Sequence, residues 1–233
     1  EAIYFYQEAI IAEPDNADYY DRLGCVYYYA KKKYSDAINA FQEAVSRNPL
    51  SGEYQMHLGL AHYKHHDFKE AVNPLETASK MIKNKPELLY NLGCAYFAMK
   101  DYDNSIRIMQ ELVEKNKDNP TYQDILAKSY FLSGKYEKAV EELIKAIKMN
   151  PDKILLYDML GNSFVVLGQY VLASETFKKI TQITPNDAKA WFNLGTAHME
   201  FYEYNKAIEY FNKSLRINQN HAETYNNLAL CYL

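Results

Sequence analysis

Residues 188–221 read AKAWFNLGTAHMEFYEYNKAIEYFNKSLRINQNH, and residues 154–187 read ILLYDMLGNSFVVLGQYVLASETFKKITQITPND. Set one above the other, the two 34-residue stretches align without a gap. Leu194-Gly195 falls on Leu160-Gly161, Tyr204 on Tyr170, Ala207 on Ala173 and Phe211 on Phe177. The same register runs through the chain. Leu23-Gly24, Leu58-Gly59, Leu92-Gly93, Leu126-Ala127 and Leu228-Ala229 occupy the first slot, 35 residues apart once and 34 apart thereafter. An aromatic recurs at Tyr34, Phe68, Tyr102, Tyr136, Tyr170 and Tyr204, and a small residue at Ala37, Ala71, Ser105, Ala139, Ala173 and Ala207. Self-similarity at a fixed period of this length is the mark of stacked supersecondary units.

Each unit reads as two helices. Apolar residues fall three and four apart in the first helix (Leu89, Leu92, Tyr96, Met99) and in the second (Ala139, Leu143, Ala146, Ile147). Gly134 and Gly168 sit where a left-handed residue ends the first helix, and prolines such as Pro151 and Pro185 stop the second. A Gly on the first helix is expected to face an Ala on the second, so that the backbones approach closely. Pro74, inside a second helix, predicts either a kink or a late helix start. The extra residue of the first full unit is expected in its turn, at Lys31 to Lys33. So short a unit cannot bury its apolar face alone and must stack on its neighbours.

This pattern resembles the tetratricopeptide repeat. The resemblance rests on Trp191, Leu194, Gly195, His198, Tyr204, Ala207 and Phe211, and recurs at Tyr157, Leu160, Gly161, Phe164, Tyr170, Ala173, Phe177 and Pro185. It implies an all-α, right-handed superhelical solenoid of stacked antiparallel helix pairs, with the first helices lining a concave groove. Residues 1–233 divide into a half unit 1–16, full units 17–51, 52–85, 86–119, 120–153, 154–187 and 188–221, and a half unit 222–233. Half units at both ends read as a single solenoid cut from a longer one, with terminal apolar faces available for end-to-end self-association.

The groove slots supply the candidate site. In the early units they hold Asp18, Asp21 and Tyr28, then Glu53, Met56 and Tyr63, then Glu87, Tyr90, Asn91 and Phe97. Later units place Asp124, Lys128 and Phe131, then Asp158 and Asn162, then Asn193 there. Acids beside aromatic and apolar residues fit a protein or peptide partner carrying Lys or Arg next to apolar anchors. Some members of the family capture C-terminal carboxylates through paired Lys and Asn, a pair found in no unit here. An asparagine ladder of the kind found beside glycosyltransferase domains would need more than Asn91, Asn193 and Asn227, because Arg22, His57, Ile125 and Met159 interrupt it.

Composition excludes other classes. Eight Gly and 7 Pro among 233 residues are too few for collagen-like or low-complexity disorder. A net charge of −4 offers no basic footprint for nucleic acid, and no apolar run reaches the ~20 residues of a membrane span. Cys25, Cys94 and Cys231 form neither a disulfide framework nor a zinc spacing, which favours a reducing, cytoplasmic compartment. His62 and His66 have ligand spacing, but a helix turn falls between them. No phosphate loop or nucleophile motif occurs. The expected function is therefore a non-catalytic protein-binding scaffold without cofactor or metal. The alternatives are the repeat region of a larger multidomain enzyme and a self-assembling structural scaffold.

Overall fold

The computed structural model describes residues 1–233 and contains fourteen α-helices and no strand. The helices form two compact units, residues 1–117 and 118–233. The first unit holds α1 (Ala2–Ala12), α2 (Ala17–Cys25), α3 (Tyr34–Arg47), α4 (Gly52–Lys64), α5 (Phe68–Met81), α6 (Pro86–Ala98) and α7 (Tyr102–Lys115). The second holds α8 (Pro120–Leu132), α9 (Tyr136–Met149), α10 (Ile154–Val166), α11 (Tyr170–Ile183), α12 (Ala188–Glu200), α13 (Tyr204–Ile217) and α14 (Ala222–Tyr232). Within each unit a helix packs on the next in sequence, and alternate helices such as α4 and α6 also touch.

The recurring glycines do not face alanines. Each opens a slot for the largest core residue of its partner helix. A Cβ on Gly24 would lie 2.5 Å from the Phe41 ring, on Gly161 2.5 Å from the Phe177 ring, and on Gly195 2.7 Å from the Phe211 ring. Gly59 makes the same room for Leu75, and Gly93 for Met109. Where Ala127 replaces the glycine, the facing slot holds Leu143. None of Phe41, Leu75, Met109, Leu143, Phe177 and Phe211 is more than 1% exposed. The physical reason is volume: a ring inserted against a bare Cα fills space that two small residues would leave void. The alanine series is fully buried as well, from Ala37 to Ala207.

Every complete pair turns through one left-handed residue: Lys32, His66, Lys100, Gly134, Gly168 and Tyr202, with φ between 50° and 76°. The next amide closes the turn on the carbonyl five residues back, as Asp67 on His62 at 3.0 Å and Gln169 on Phe164 at 2.8 Å. In the first pair the amide of Lys33 reaches six residues back, to Tyr27, at 3.0 Å. The extra residue thus lies inside the helix and not in the turn. It is absorbed by a π-helical segment, Val26–Lys31, that continues α2. One π turn takes up one added residue and leaves the turn itself unchanged.

Pro74 delays nothing: α5 begins at Phe68, in register, and runs through the buried Pro74. The ring removes one amide donor from the ladder, at the point where α4 comes near, a Cβ on Gly59 lying 3.1 Å from the Leu75 nitrogen. At the start of first helices, side chains in one slot donate to a proline carbonyl six residues earlier. Tyr20 Oη binds Pro14 at 3.1 Å, Gln55 Nε2 binds Pro49 at 3.2 Å and Trp191 Nε1 binds Pro185 at 2.7 Å. The guanidinium of Arg47 also covers the Tyr20 ring at 3.9 Å.

Gly161→Ala drives a methyl into a rigid ring and should cost about 1–3 kcal/mol. Gly93→Ala meets the mobile end of Met109 at 2.5 Å and the Ile108 Cγ2 at 3.2 Å, and should cost less than Gly161→Ala, because the thioether can move and the gain in helix propensity, about 1 kcal/mol, offsets part of the contact. Urea unfolding of the two variants checks the difference. Lys100→Gly, which relieves a left-handed non-glycine residue, should stabilise the chain by about 1 kcal/mol in the same assay.

Candidate partner-binding face

In the first unit α2, α4 and α6 present the groove slots, and in the second α8, α10 and α12 do so. The structure sorts the sixteen candidates by burial. Asp21, Met56, Asn91 and Asp124 are buried. Asp18, Glu53 and Glu87 are exposed, and Tyr28, Tyr63, Tyr90, Phe97, Lys128, Phe131, Asp158, Asn162 and Asn193 are half-buried. Asp21, Met56 and Asp124 share one slot and are buried in it, and Asn91 is buried one position further on, against neighbouring helices and not on the open face.

Most of the acids are already engaged. Asp18 accepts a hydrogen bond from the Tyr54 hydroxyl, and burial together with that carboxylate pushes the Tyr54 phenol well up. Asp21 Oδ1 lies 2.7 Å from His57 Nδ1. Burial alone would lower the His57 pKa, but the bond to Asp21, with Cys25 nearby, raises it to about 9. In the second unit Asp124 Oδ2 accepts from Lys128 at 2.7 Å. Its Oδ1 accepts no hydrogen bond, and its charge is matched by Lys153 Nζ at 3.0 Å. Asp158 accepts from Lys189 at 2.8 Å and Asn193 at 2.9 Å. Apart from Asp124 with Lys128, which lie one turn apart on one helix, these ties join positions 29 to 36 residues apart and staple one repeat to the next. Glu53 and Glu87, both in the first unit, make no ion pair. Asn91 and Asn162 donate to carbonyls of their own helices, Glu87 and Asp158, each at 2.7 Å.

The aromatic candidates share a second pattern. Tyr28, Tyr63, Phe97 and Phe131 meet Tyr34, Phe68, Tyr102 and Tyr136 edge to face, with ring centroids 5.5, 5.6, 5.7 and 5.8 Å apart. Each ring therefore has one side packed and one side open. Burial pushes the Tyr28 and Tyr63 phenols up to about 12, so both are neutral hydrogen-bond donors at neutral pH. Tyr28, Tyr29, Phe41, His57 and Leu60 line an apolar recess in the first unit. Tyr29, 65% exposed, is absent from the sequence-derived set because it arises from the inserted residue of the π-helical segment. The Cys94 thiol, raised by burial, lies between Tyr63 and Tyr90.

His62 and His66 are separated by the helix turn, as their positions in the sequence imply. His66 takes the left-handed turn position, while His62 and His65 both reach Asp67, at 3.4 and 2.8 Å. The convergent donors lie elsewhere. Asp21, Cys25 and His57 bring one oxygen, one sulfur and one nitrogen within 4.8 Å of one another. Asp21 and Cys25 are one helical turn apart in α2, and His57 comes from α4.

The sequence matches the tetratricopeptide repeat family over residues 5–229. The chain belongs to that family. No curated protein matches it significantly. Among solved structures it resembles MamA of MSR-1 at 24% identity, over 73% of this chain and 98% of that one, with a TM-score of 0.63. It resembles YrrB, described as a TPR protein with an unusual peptide-binding site, at 15% identity over 95% and 96% of the two chains, with a TM-score of 0.55. Naa15/Naa10 bound to HypK-THB matches at 15% identity over 99% of this chain and 36% of that one, with a TM-score of 0.71. At these identities the likeness concerns the fold alone. No helix is long and apolar enough to cross a membrane.

The Asp21–His57 pair sets a pH dependence. Its histidine pKa is raised from 6.5 to about 9, so the pair stabilises the fold fully below pH 6.5 and is lost as pH rises through 9. Asp21→Asn should cost about 1.5–3 kcal/mol at pH 6. It should also flatten the fall in thermal stability between pH 6.5 and 9, measured on chelator-treated protein.

Proposed function

We propose that the chain is a non-catalytic scaffold whose first-helix faces bind a partner segment. The principal contact in this reading is the face of α2, α4 and α6. One observation carries it. The groove acids of the second unit, Asp124 and Asp158, are neutralised by Lys128, Lys153 and Lys189, whereas Glu53 and Glu87 are exposed and unpaired on the first helices that also carry Tyr63 and Phe97, and Glu87 is near enough to Tyr28 to raise its phenol. Free carboxylates beside half-buried rings suit a segment that alternates Lys or Arg with apolar anchors. Concave faces are the usual binding surfaces of solenoids, and peptide binding by YrrB, a TPR protein of similar fold, supports the same use here.

The residues carrying this role in the first unit are Glu53, Glu87, Tyr28, Tyr29, Tyr63, Tyr90 and Phe97. Asp21, Met56 and Asn91 support them from behind, and the exposed Asp18 is tied to Tyr54. In the second unit Phe131, Asn162 and Asn193 offer a more neutral face, which Asp124, Lys128 and Asp158 hold in shape. Peptides selected on the chain from a random display library should be enriched in Lys or Arg adjacent to aromatic or aliphatic residues. Binding of the selected peptides should fall about tenfold or more for Glu53→Lys with Glu87→Lys, and for Phe97→Ala, with helicity unchanged. Enrichment of acidic peptides, or affinity indifferent to these changes, rejects the assignment.

A second reading is self-association. Tyr4, Phe5 and Ile11 on α1 and Leu230 and Tyr232 on α14 are each more than half exposed. Sedimentation showing a monomer at high concentration would remove it.

A further inference from the structure

The pairing of Asp21 with His57 leaves one feature of the first unit unused. Cys25 Sγ stands 3.9 Å from His57 Nδ1 and 3.9 Å from Asp21 Oδ2, on the face toward the open side of α2 and α4. An ion pair does not need a sulfur, and 3.9 Å is long for a thiol hydrogen bond. It is close to the separation that a shared metal ion would impose. With Zn–S near 2.3 Å and Zn–N and Zn–O near 2.0–2.2 Å, tetrahedral coordination sets sulfur–nitrogen and sulfur–oxygen separations of about 3.6 Å and a nitrogen–oxygen separation of about 3.4 Å. The two distances from the sulfur, to the nitrogen and to Asp21 Oδ2, are thus within a few tenths of an ångström of that geometry. The other carboxylate oxygen, Oδ1, lies 2.7 Å from His57 Nδ1 and is held there by a shared proton.

We propose that Asp21, Cys25 and His57 form a zinc-class metal site that clamps α2 to α4, with a fourth position open to water. The donor chemistry selects the metal: a thiolate and an imidazole favour zinc over calcium or magnesium, which take oxygen ligands. Asp21 is 6% exposed, while Cys25 and His57 are half-buried. The site is therefore anchored at its base and reachable from the open face. Binding replaces protons. The ion takes the place of the proton shared by His57 and Asp21 and of the Cys25 thiol proton, so both leave to solvent as the ion enters. The Asp21 carboxylate turns so that one oxygen faces both the nitrogen and the sulfur, whose donor atoms already lie within 4.8 Å of it. Two of the donors come from α2 and one from α4, so metal occupancy would stiffen the face on which partner binding is proposed. The inference itself does not rest on that function.

The test is cobalt titration of the chelator-treated full chain. One equivalent should produce a thiolate-to-cobalt charge-transfer band and the intense visible bands of a tetrahedral ion, both abolished by added zinc. Cys25→Ser should eliminate the charge-transfer band. His57→Ala and Asp21→Asn should each weaken binding about tenfold or more, in line with the loss of one ligand. Cys94→Ser and Cys231→Ser, which alter thiols outside the cluster, should leave the spectrum unchanged. Zinc should also raise the melting temperature of the unaltered chain and not that of Cys25→Ser, with circular dichroism verifying that both are equally helical. Cobalt bound without a charge-transfer band would point to His62, His65 and Asp67, which include no sulfur, and would overturn the proposal. A band that survives Cys25→Ser, or no uptake at all, would overturn it too.

Discussion

One contact repeats through both units and the rest follows from it: a bulky side chain of each second helix seats on a bare or nearly bare Cα of the first. Phe41 on Gly24, Leu75 on Gly59, Met109 on Gly93, Phe177 on Gly161 and Phe211 on Gly195 are one interaction in five versions, and the buried Ala127 and Leu143 hold the same two slots in the remaining pair. Their burial is nearly complete. At about 1.5–3 kcal/mol for each large apolar side chain removed from water, this contact accounts for a large part of what holds a pair together. It also sets the distance between the two helices, and so determines which side chains of the first helix face outward. The variation within the series matters, since a ring, a branched aliphatic chain and a thioether tolerate a shift of the facing helix differently.

The second layer of order is polar and runs between repeats. Asp18 with Tyr54, Asp21 with His57, and Asp158 with Lys189 and Asn193 tie first helices to their neighbours across 31 to 36 residues. All but the exposed Asp158–Lys189 pair are part-buried, where a charged hydrogen bond contributes more than it does in open solvent. Two purposes thus compete for the same slots. An acid that staples its neighbour is not free to meet a ligand. The first unit retains Glu53 and Glu87 as unattached charges while the second neutralises its own with lysines, which divides the proposed binding role unequally between the two.

The departures from strict repetition have local physical causes. The single 35-residue spacing is absorbed as a π turn within the first helix, which displaces Tyr29 outward and adds an aromatic to the candidate face. Pro74 is carried inside α5 because one missing amide costs less than interrupting a helix whose other residues, Ala71, Leu75 and Ala78, are buried in register. Lys32, His66, Lys100 and Tyr202 adopt the left-handed turn that Gly134 and Gly168 adopt without strain. The closing amide bond outweighs the cost of the side chain at those four turns.

Much of this was legible in the order of residues alone. The period, the two helices per unit and the left-handed turn at Gly134 and Gly168 all follow from a pattern of size and polarity that recurs every 34 residues. A stack in which each unit touches only its neighbours needs little more than that pattern to specify it. What glycine faces was not legible, because Gly and Ala are both small in a sequence and only the packed pair reveals whether the space is used by a backbone or by a ring. Nor was the fate of the acids. Whether Asp21 binds His57 or Asp124 binds Lys153 depends on the rotation of adjacent first helices to within about 1 Å, the tolerance of a hydrogen bond. The convergence of Asp21, Cys25 and His57 is of the same kind. One turn of α2 supplies two donors that any reader of the sequence could pair, but the third arrives from the next repeat, and only the packing of α4 on α2 brings it there.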